Sequence, residues 1–523
     1  MDVDQDMSNI FTSLAGCLIV AYVISILPHW RHTFTSLRFA WVYNQIFGLS
    51  RPGIVKKETV YISDPRALQE ILVKEQGTVF MHTPGHLEVN NLIFGPGLLG
   101  ISGDTHKLQR KALNPMFTTL HTKSMVRHCD LVFSQAEHHL IHSYIDIQDG
   151  KCGTRTDTMV STMNGAGTKE MNIFEWCQTA TLEIIGQAGF GYTFGAIGGS
   201  QSPYIAAMRS LIPSVIPLYR FRRHIFWILR LTPRVLGLQL VKWAAGRYIQ
   251  RFRKMTDTQA EYSKHILESR KAVVSDNTGG EFNDILSTLI RFNARANEDE
   301  KLSEDQLRGQ INTFVFAGFE TTSASLARTV HLLAQHPHIQ TQLRAELLNA
   351  NPDLQDLDDL PYLNAIVRET LRLHPPVPTI ERYATKDWVL PLRYPTKDHK
   401  QEIYIKKGAS VETWGEDADE FRPERWLAAL PQSVAEAKIQ GVYSPLMTFS
   451  AGPRSCIGYK FAVLELKIIL SRLVKTFRFD PGLELIEWSA HGCTSPRVVK
   501  TLEDGTTVSH KVPTLPLMVS AMQ

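Results

Sequence analysis

FSAGPRSCIG, residues Phe449 to Gly458, is the stretch on which the reading of this chain turns. Gly452 and Gly458 bracket one cysteine, Cys456, and permit a loop bent tightly enough to bring its sulfur against something planar and close. From Tyr459 to Phe477 there is no breaker, and Phe461, Leu464, Leu466, Ile468, Ile469 and Leu473 recur at helical spacing. Cys456 thus stands just before a helix N-terminus, where unpaired N–H groups and the helix dipole favour a thiolate. An anionic ligand or a nucleophile is the expected role.

Two further patterns precede this loop. Ser303 and Gln306 form a capping box, and a proline-free pattern then runs to His336, just before Pro337. At 1.5 Å per residue such a helix is roughly 50 Å long and crosses a whole domain. AGFETT, Ala317 to Thr322, lies in its middle. Glycine weakens a helix and threonine bonds back to the preceding turn, so a local widening is expected at Gly318. Glu320 followed by Thr321 supplies a proton source beside a hydrogen-bond donor. Next, LPYLNAIVRETLRLH, Leu360 to His374, reads as an amphipathic helix stopped by Pro375. Glu369 and Arg372, three apart on one face, can neutralise each other inside a core.

Taken in order, these motifs resemble those of the cytochrome P450 monooxygenases, of the microsomal eukaryotic type and similar to fungal members. Phe449, Gly452, Arg454, Cys456 and Gly458 match every defining position of that family's heme-binding loop. The resemblance implies a mainly α fold with small β-sheets and one catalytic domain over residues 29–523. It implies heme b, with Cys456 as axial ligand of the iron, Phe449 shielding the sulfur and Arg454 on a propionate. Ala317 and Gly318 with Glu320 and Thr321 resemble the oxygen-activation motif. Arg382 matches a propionate-binding arginine, and His106 and Arg110 stand where the family has a Trp-x-x-x-Arg pair. Four apart, His106 and Arg110 share a helical face from which both can donate, although two solvated basic residues fit the same spacing. Glu369 and Arg372 resemble the Glu-x-x-Arg pair, linked to Arg422 or Arg425 in FRPERW. Thr313, Phe316, Val377 and Ile380 are expected along a cavity for a small hydrophobic organic substrate.

Composition is consistent with one large core. Of 523 residues 43% are hydrophobic and 21% charged, and no linker or repeat divides them. A net charge of +4, dispersed along the chain, argues against nucleic acid. Six cysteines show neither zinc spacing nor a dense disulfide framework. Residues 7–28, MSNIFTSLAGCLIVAYVISILP, carry no charge and are long enough to span a bilayer, behind a short acidic tail of residues 1–6. Arg31 and Arg38 follow, so the positive-inside rule places the remainder of the chain on the cytoplasmic side, and the resemblance to microsomal members implies the endoplasmic reticulum membrane. The arginine-rich apolar segment from Pro217 to Met255 suits a membrane surface or ordinary amphipathic packing.

No flavin or dinucleotide fingerprint is present, so electrons must come from outside. By resemblance the donor is an NADPH-dependent flavoprotein reductase, with cytochrome b5 as a second possible donor. A basic face holding Lys107, Lys111, Arg425 and Lys460 is the expected contact. One departure stands out. Between YIKKGASV, Tyr404 to Val411, and Trp414 only Glu412 and Thr413 remain where family members carry a further strand and short helix. Two alternatives stay open: a same-fold peroxide isomerase or dehydratase that needs no reductase, and, on the ground of this deletion, a non-catalytic membrane protein.

Overall fold

The computed structural model describes residues 62–82, 85–125, 168–197, 203–211, 214–215, 247–275, 284–350, 354–386, 388–394, 417–501, 507–510 and 512–522. The expected anchor at 7–28, the gap near 411–414 and most of the 217–255 segment lie outside them. Among the described residues no helix is long and apolar enough to cross a membrane.

Helices dominate. The ones that build the site are α1 (Pro65–Gln69), α2 (His86–Phe94), α3 (Gly103–Leu113), α4 (Ile173–Ile184), α5 (Arg247–Ser275), α6 (Ile285–Arg295), α7 (Glu304–Gln335), α8 (Pro337–Asn349), α9 (Pro361–Leu373) and α10 (Tyr459–Thr476). Three small antiparallel sheets complete the described fold: β1 (Phe80–Met81) with β3 (Tyr383–Ala384); β2 (Lys169–Asn172), β8 (Pro516–Ala521) and β4 (Phe477–Pro481); and β5 (Leu485–His491), β6 (Cys493–Thr501) and β7 (Thr507–Ser509).

The long helix α7 is the axle. Its capping box forms as the sequence predicts, Ser303 N–H donating to Gln306 Oε1 at 2.8 Å and Gln306 N–H to Ser303 Oγ at 3.3 Å. His336 ends it and Pro337 opens α8. Helix α4 packs along α7, and just after it Ile185 comes so near Gly318 that a Cβ there would stand 3.2 Å from its side-chain carbons, tighter than ordinary contact. The expected widening at Gly318 does not occur: α7 is α-helical from end to end. Thr321 donates its hydroxyl to Ala317 O at 2.6 Å, which ties the turn that glycine weakens. A loop before α3 approaches α7 more closely still, since a Cβ on Gly97 would meet Gly309 O at 2.3 Å. Gln310 fixes this contact by accepting from Leu98 N–H at 3.3 Å.

Behind the cysteine loop, α10 packs on α7, α8 and α9 and runs straight into β4, where Phe477 and Phe479 are fully buried. Gln340 on α8 pairs with both backbone groups of Phe479, and Arg344 caps Val474 O and Phe477 O at 2.8 and 2.7 Å. These bonds satisfy carbonyls that the helix end and sheet edge would otherwise leave open.

Candidate active site

Cys456 sits three residues ahead of α10, with its N–H on Phe449 O at 2.9 Å. Gly452 adopts φ +68°, and a Cβ there would lie 2.0 Å from Leu72 O, so only glycine fits. Gly458 has an ordinary φ of −91° and contributes an N–H toward the sulfur instead of a special turn. Of the three described cysteines only Cys456 is exposed. The protein packed around its loop raises the thiol above its ordinary value, against the pull of the Gly458 N–H and the Arg110 charge. This corrects the expectation that the helix end alone holds a thiolate. Desolvation outweighs the dipole, and a metal cation bound by the sulfur would be what favours the thiolate. Phe449 lies edge-on to Tyr443 at 5.6 Å and tilted to Tyr459 at 6.0 Å.

A ring of cations surrounds this loop. Arg110 donates to Ser455 O at 2.6 Å and Ser455 Oγ at 3.4 Å, tying α3 to the residue before Cys456. Arg454 reaches Leu98 O and Ile101 O at 3.2 and 2.7 Å. His106 is buried, so its face of α3 points inward and the solvated alternative fails for it. Burial and then the charges of Arg454 and Arg110 push its imidazole down to about 4. Arg382 is buried too, donates once to Glu381 O at 2.8 Å, and its Nε has no partner. Burial and the Arg454 charge bring it down to about 10.

These groups test the fit of heme. A buried guanidinium N–H without an acceptor and several cations turned on one another call for an anion in their midst. The two carboxylates of heme supply one, and Cys456 supplies a sulfur ligand for its iron. The residues present fit the group.

On α7 the flanking residues are sealed, Val315 at 0% and Phe319 at 1% exposure, yet Ala317 between them is exposed and Phe316, Gly318 and Thr321 are part-open. An open strip in the middle of a core helix marks an internal cavity. Phe316 stacks on Phe94 at 4.7 Å. Val377 and Ile380 are exposed as well, whereas Thr313 is buried against Gly97 and is not on the strip, which removes it as a cavity-lining residue. Glu320 is buried, and burial pushes its carboxyl up to about 8. A carboxyl in that condition holds its proton at neutral pH and can give it away.

Sequence reading missed the hairpin that closes this region. At the start of β6, Cys493 Sγ donates to Glu320 O at 3.4 Å, and Thr494 N–H to Pro376 O at 2.8 Å. The hairpin thereby ties the acid's helix to the segment carrying Val377 and Ile380. Nothing local in the sequence signals such a long-range contact.

The ion pair takes a definite form. Arg372 grips Glu369 with two bonds, 2.9 and 3.0 Å, and Trp426 Nε1 donates at 2.8 Å. Of the two arginines left open, Arg425 brings its side chain to Glu369 at 3.3 Å, while Arg422 gives its backbone N–H at 3.0 Å and turns its guanidinium to Asp417. Burial works to raise Glu369, but these donors outweigh it and the carboxyl is held low. Arg425 is therefore buried and cannot belong to a docking face, a correction to the expected basic surface. Lys107 and Lys111 are exposed but paired, with Asp104 at 2.9 Å and Glu300 at 2.8 Å.

A mainly helical fold with a cysteine loop held between cations is the architecture of a heme-thiolate protein, and comparison with known proteins agrees. The cytochrome P450 family pattern matches residues 36–487, and the chain belongs to that family. It is 35% identical over 494 residues to cytochrome P450 monooxygenase 91 of Postia placenta, covering 88% of this chain and 87% of the relative. Ganoderic acid synthetase of Ganoderma lucidum is 33% identical over 513 residues, covering 90% and 87%. Among solved structures, that of the cytochrome P450 CYP102L1 superposes with a TM-score of 0.60 at 20% identity, covering 88% of both chains, a likeness of fold. The protein is thus a heme b monooxygenase.

Proposed function

We propose that this chain is a membrane-anchored monooxygenase that hydroxylates a small hydrophobic organic molecule with electrons from an NADPH-dependent flavoprotein reductase. The observation that carries the reading is the buried Glu320, without a cation to pair with among the described residues and with its carboxyl pushed up by burial, on the turn next to the open strip of α7. Heme with a thiolate ligand, when bound, supplies activation of dioxygen and transfer of one oxygen atom. Cys456 is its ligand in this reading. Arg382, His106, Arg110 and Arg454 would hold the propionates, and the Glu369 cluster fixes α9 to the FRPERW segment. Phe316, Ala317, Val377 and Ile380 give the substrate an apolar wall and exclude water. Glu320 would hold a proton close to the opening of α7, and the Thr321 hydroxyl, bonded to Ala317 O, would stand beside it as the second polar group of that turn. The reductase, with cytochrome b5 as a second donor, docks on the face of Lys107, Lys111 and Lys460. Residues 7–28 anchor the enzyme in the endoplasmic reticulum membrane, the catalytic domain facing the cytoplasm, in secondary metabolism.

Microsomes bearing the chain and a reductase test this. A reduced carbon monoxide difference spectrum with the thiolate band, NADPH-dependent hydroxylation, and NADPH oxidation uncoupled from product in Glu320→Gln and Thr321→Ala are expected. Product formed without NADPH indicates the isomerase class, and absence of heme ends the reading.

A further inference from the structure

Beside the propionate arginines stands a histidine that the motifs do not include. His82 follows β1, and the β1–β3 register, Phe80 with Ala384 and Met81 with Tyr383, continues one step to set His82 opposite Arg382. Directly opposed residues of antiparallel strands point to the same side, so the imidazole and the buried guanidinium are neighbours. From the other flank His86, on the first turn of α2, stacks its ring on His82, centroids 5.0 Å apart and planes within 2°. His86 is itself held within 3.1 Å of Asn90, whose amide donates to Leu99 O.

The charged and titratable groups that bear on His82 are Arg382 beside it, His86 on α2, His106 on α3 and Arg454 in the cysteine loop. No described carboxylate is among them. Burial first, and then these cations, press the imidazole down to about 2, so without an anion it is neutral. Its neighbour Arg382 meanwhile keeps an unpartnered buried Nε. One anion set between the two satisfies both.

We propose that His82 is a heme-propionate residue that takes up a proton as the carboxylate arrives, making heme loading proton-linked. This rests on heme occupying the cavity behind Cys456, as read above. The balance is simple. A solvent proton adds to the neutral imidazole, the imidazolium pairs with the propionate beside Arg382, and the proton returns to solvent when heme leaves. Heme is then held more tightly at low pH than at high pH, over the range in which a histidine paired with a carboxylate titrates.

Heme transfer from the holoenzyme to excess apomyoglobin measures this without turnover. Wild-type loss should accelerate from about pH 6 to about pH 9, where the imidazolium discharges. His82→Gln should lose heme about tenfold faster at the acid end, equal to about 1.4 kcal/mol, with the difference closing toward the alkaline end. His82→Arg, with a permanent charge, should restore slow loss and flatten the pH profile. A His82→Gln enzyme matching wild type in rate and profile overturns the proposal. So does a His82→Arg enzyme as leaky as His82→Gln, because a packing role needs the ring and not the charge. Both leave the heme-thiolate reading standing, whereas wild-type protein without heme removes that reading itself.

Discussion

Replacing Glu320 by glutamine should make the protein more stable, by an amount that grows with pH. The carboxyl is buried on α7, and burial alone carries its pKa from 4.5 up to about 8. Below pH 4.5 it is protonated in both folded and unfolded chains and costs nothing. Between the two values the folded chain binds a proton that the unfolded chain has released, so stability falls as pH rises. At pH 7 that linkage amounts to about 3 kcal/mol, at about 1.4 kcal/mol per pH unit. Glutamine keeps the shape and a polar head without titrating, and so recovers most of it. With an unfolding entropy of about 2 cal/mol/K per residue, a chain of this length gains roughly 3 °C in Tm. Thermal melts of wild type and Glu320→Gln from about pH 5 to about pH 8 read the effect, which should rise steadily across that window. A constant Tm difference over the whole range refutes the assignment of a buried, neutral acid.

Two other perturbations follow from the same geometry. Glu369→Ala removes the carboxylate that Arg372 grips and one of the two that Arg425 holds, Asp417 remaining to it at 2.8 Å, at side chains only 5% and 4% exposed. A loss of about 3–5 kcal/mol is expected, read as a fall in Tm and in heme content of the purified protein. Gly452→Ala must hold a Cβ at φ +68° against Leu72 O, and should cost at least about 1–2 kcal/mol and loosen heme, as measured by the heme-to-protein absorbance ratio.

The parts legible in the sequence are those whose physics is local. Ser303, Gln306 and Pro337 mark the ends of α7 because capping and proline geometry act within one turn, and both ends lie where expected. Glu369 and Arg372 read as a pair from their spacing alone. Choices made across the fold were not legible. The preference of Glu369 for the Arg425 side chain, with Arg422 turned to Asp417, depends on where a distant segment docks. Gly318 looked like a weak point, yet the structure gives it a packing reason, the Ile185 side chain of a neighbouring segment. His82 and Cys493 went unnoticed because a two-residue strand has no periodicity and a hairpin tip reveals its neighbours only once folded.

Three glutamates on three helices show what decides chemistry here. All are buried, and desolvation pushes each carboxyl upward. Glu369 alone ends low, because two guanidinium groups, an indole N–H and a backbone N–H converge on it. Such a carboxylate is locked, and moving its proton means breaking the cluster. Glu465, on α10, has only Thr322 to lower it and stays well above its ordinary value, shut inside the core. Glu320 receives no cation either, but its helix opens at Ala317 three residues away. Among these three carboxyls it alone combines a pKa raised by burial with a place one turn from an exposed position of its helix. The position of cations, more than the presence of an acid, separates the carboxyl that burial leaves raised beside the opening of α7 from the one that donors hold low and the one shut inside the core.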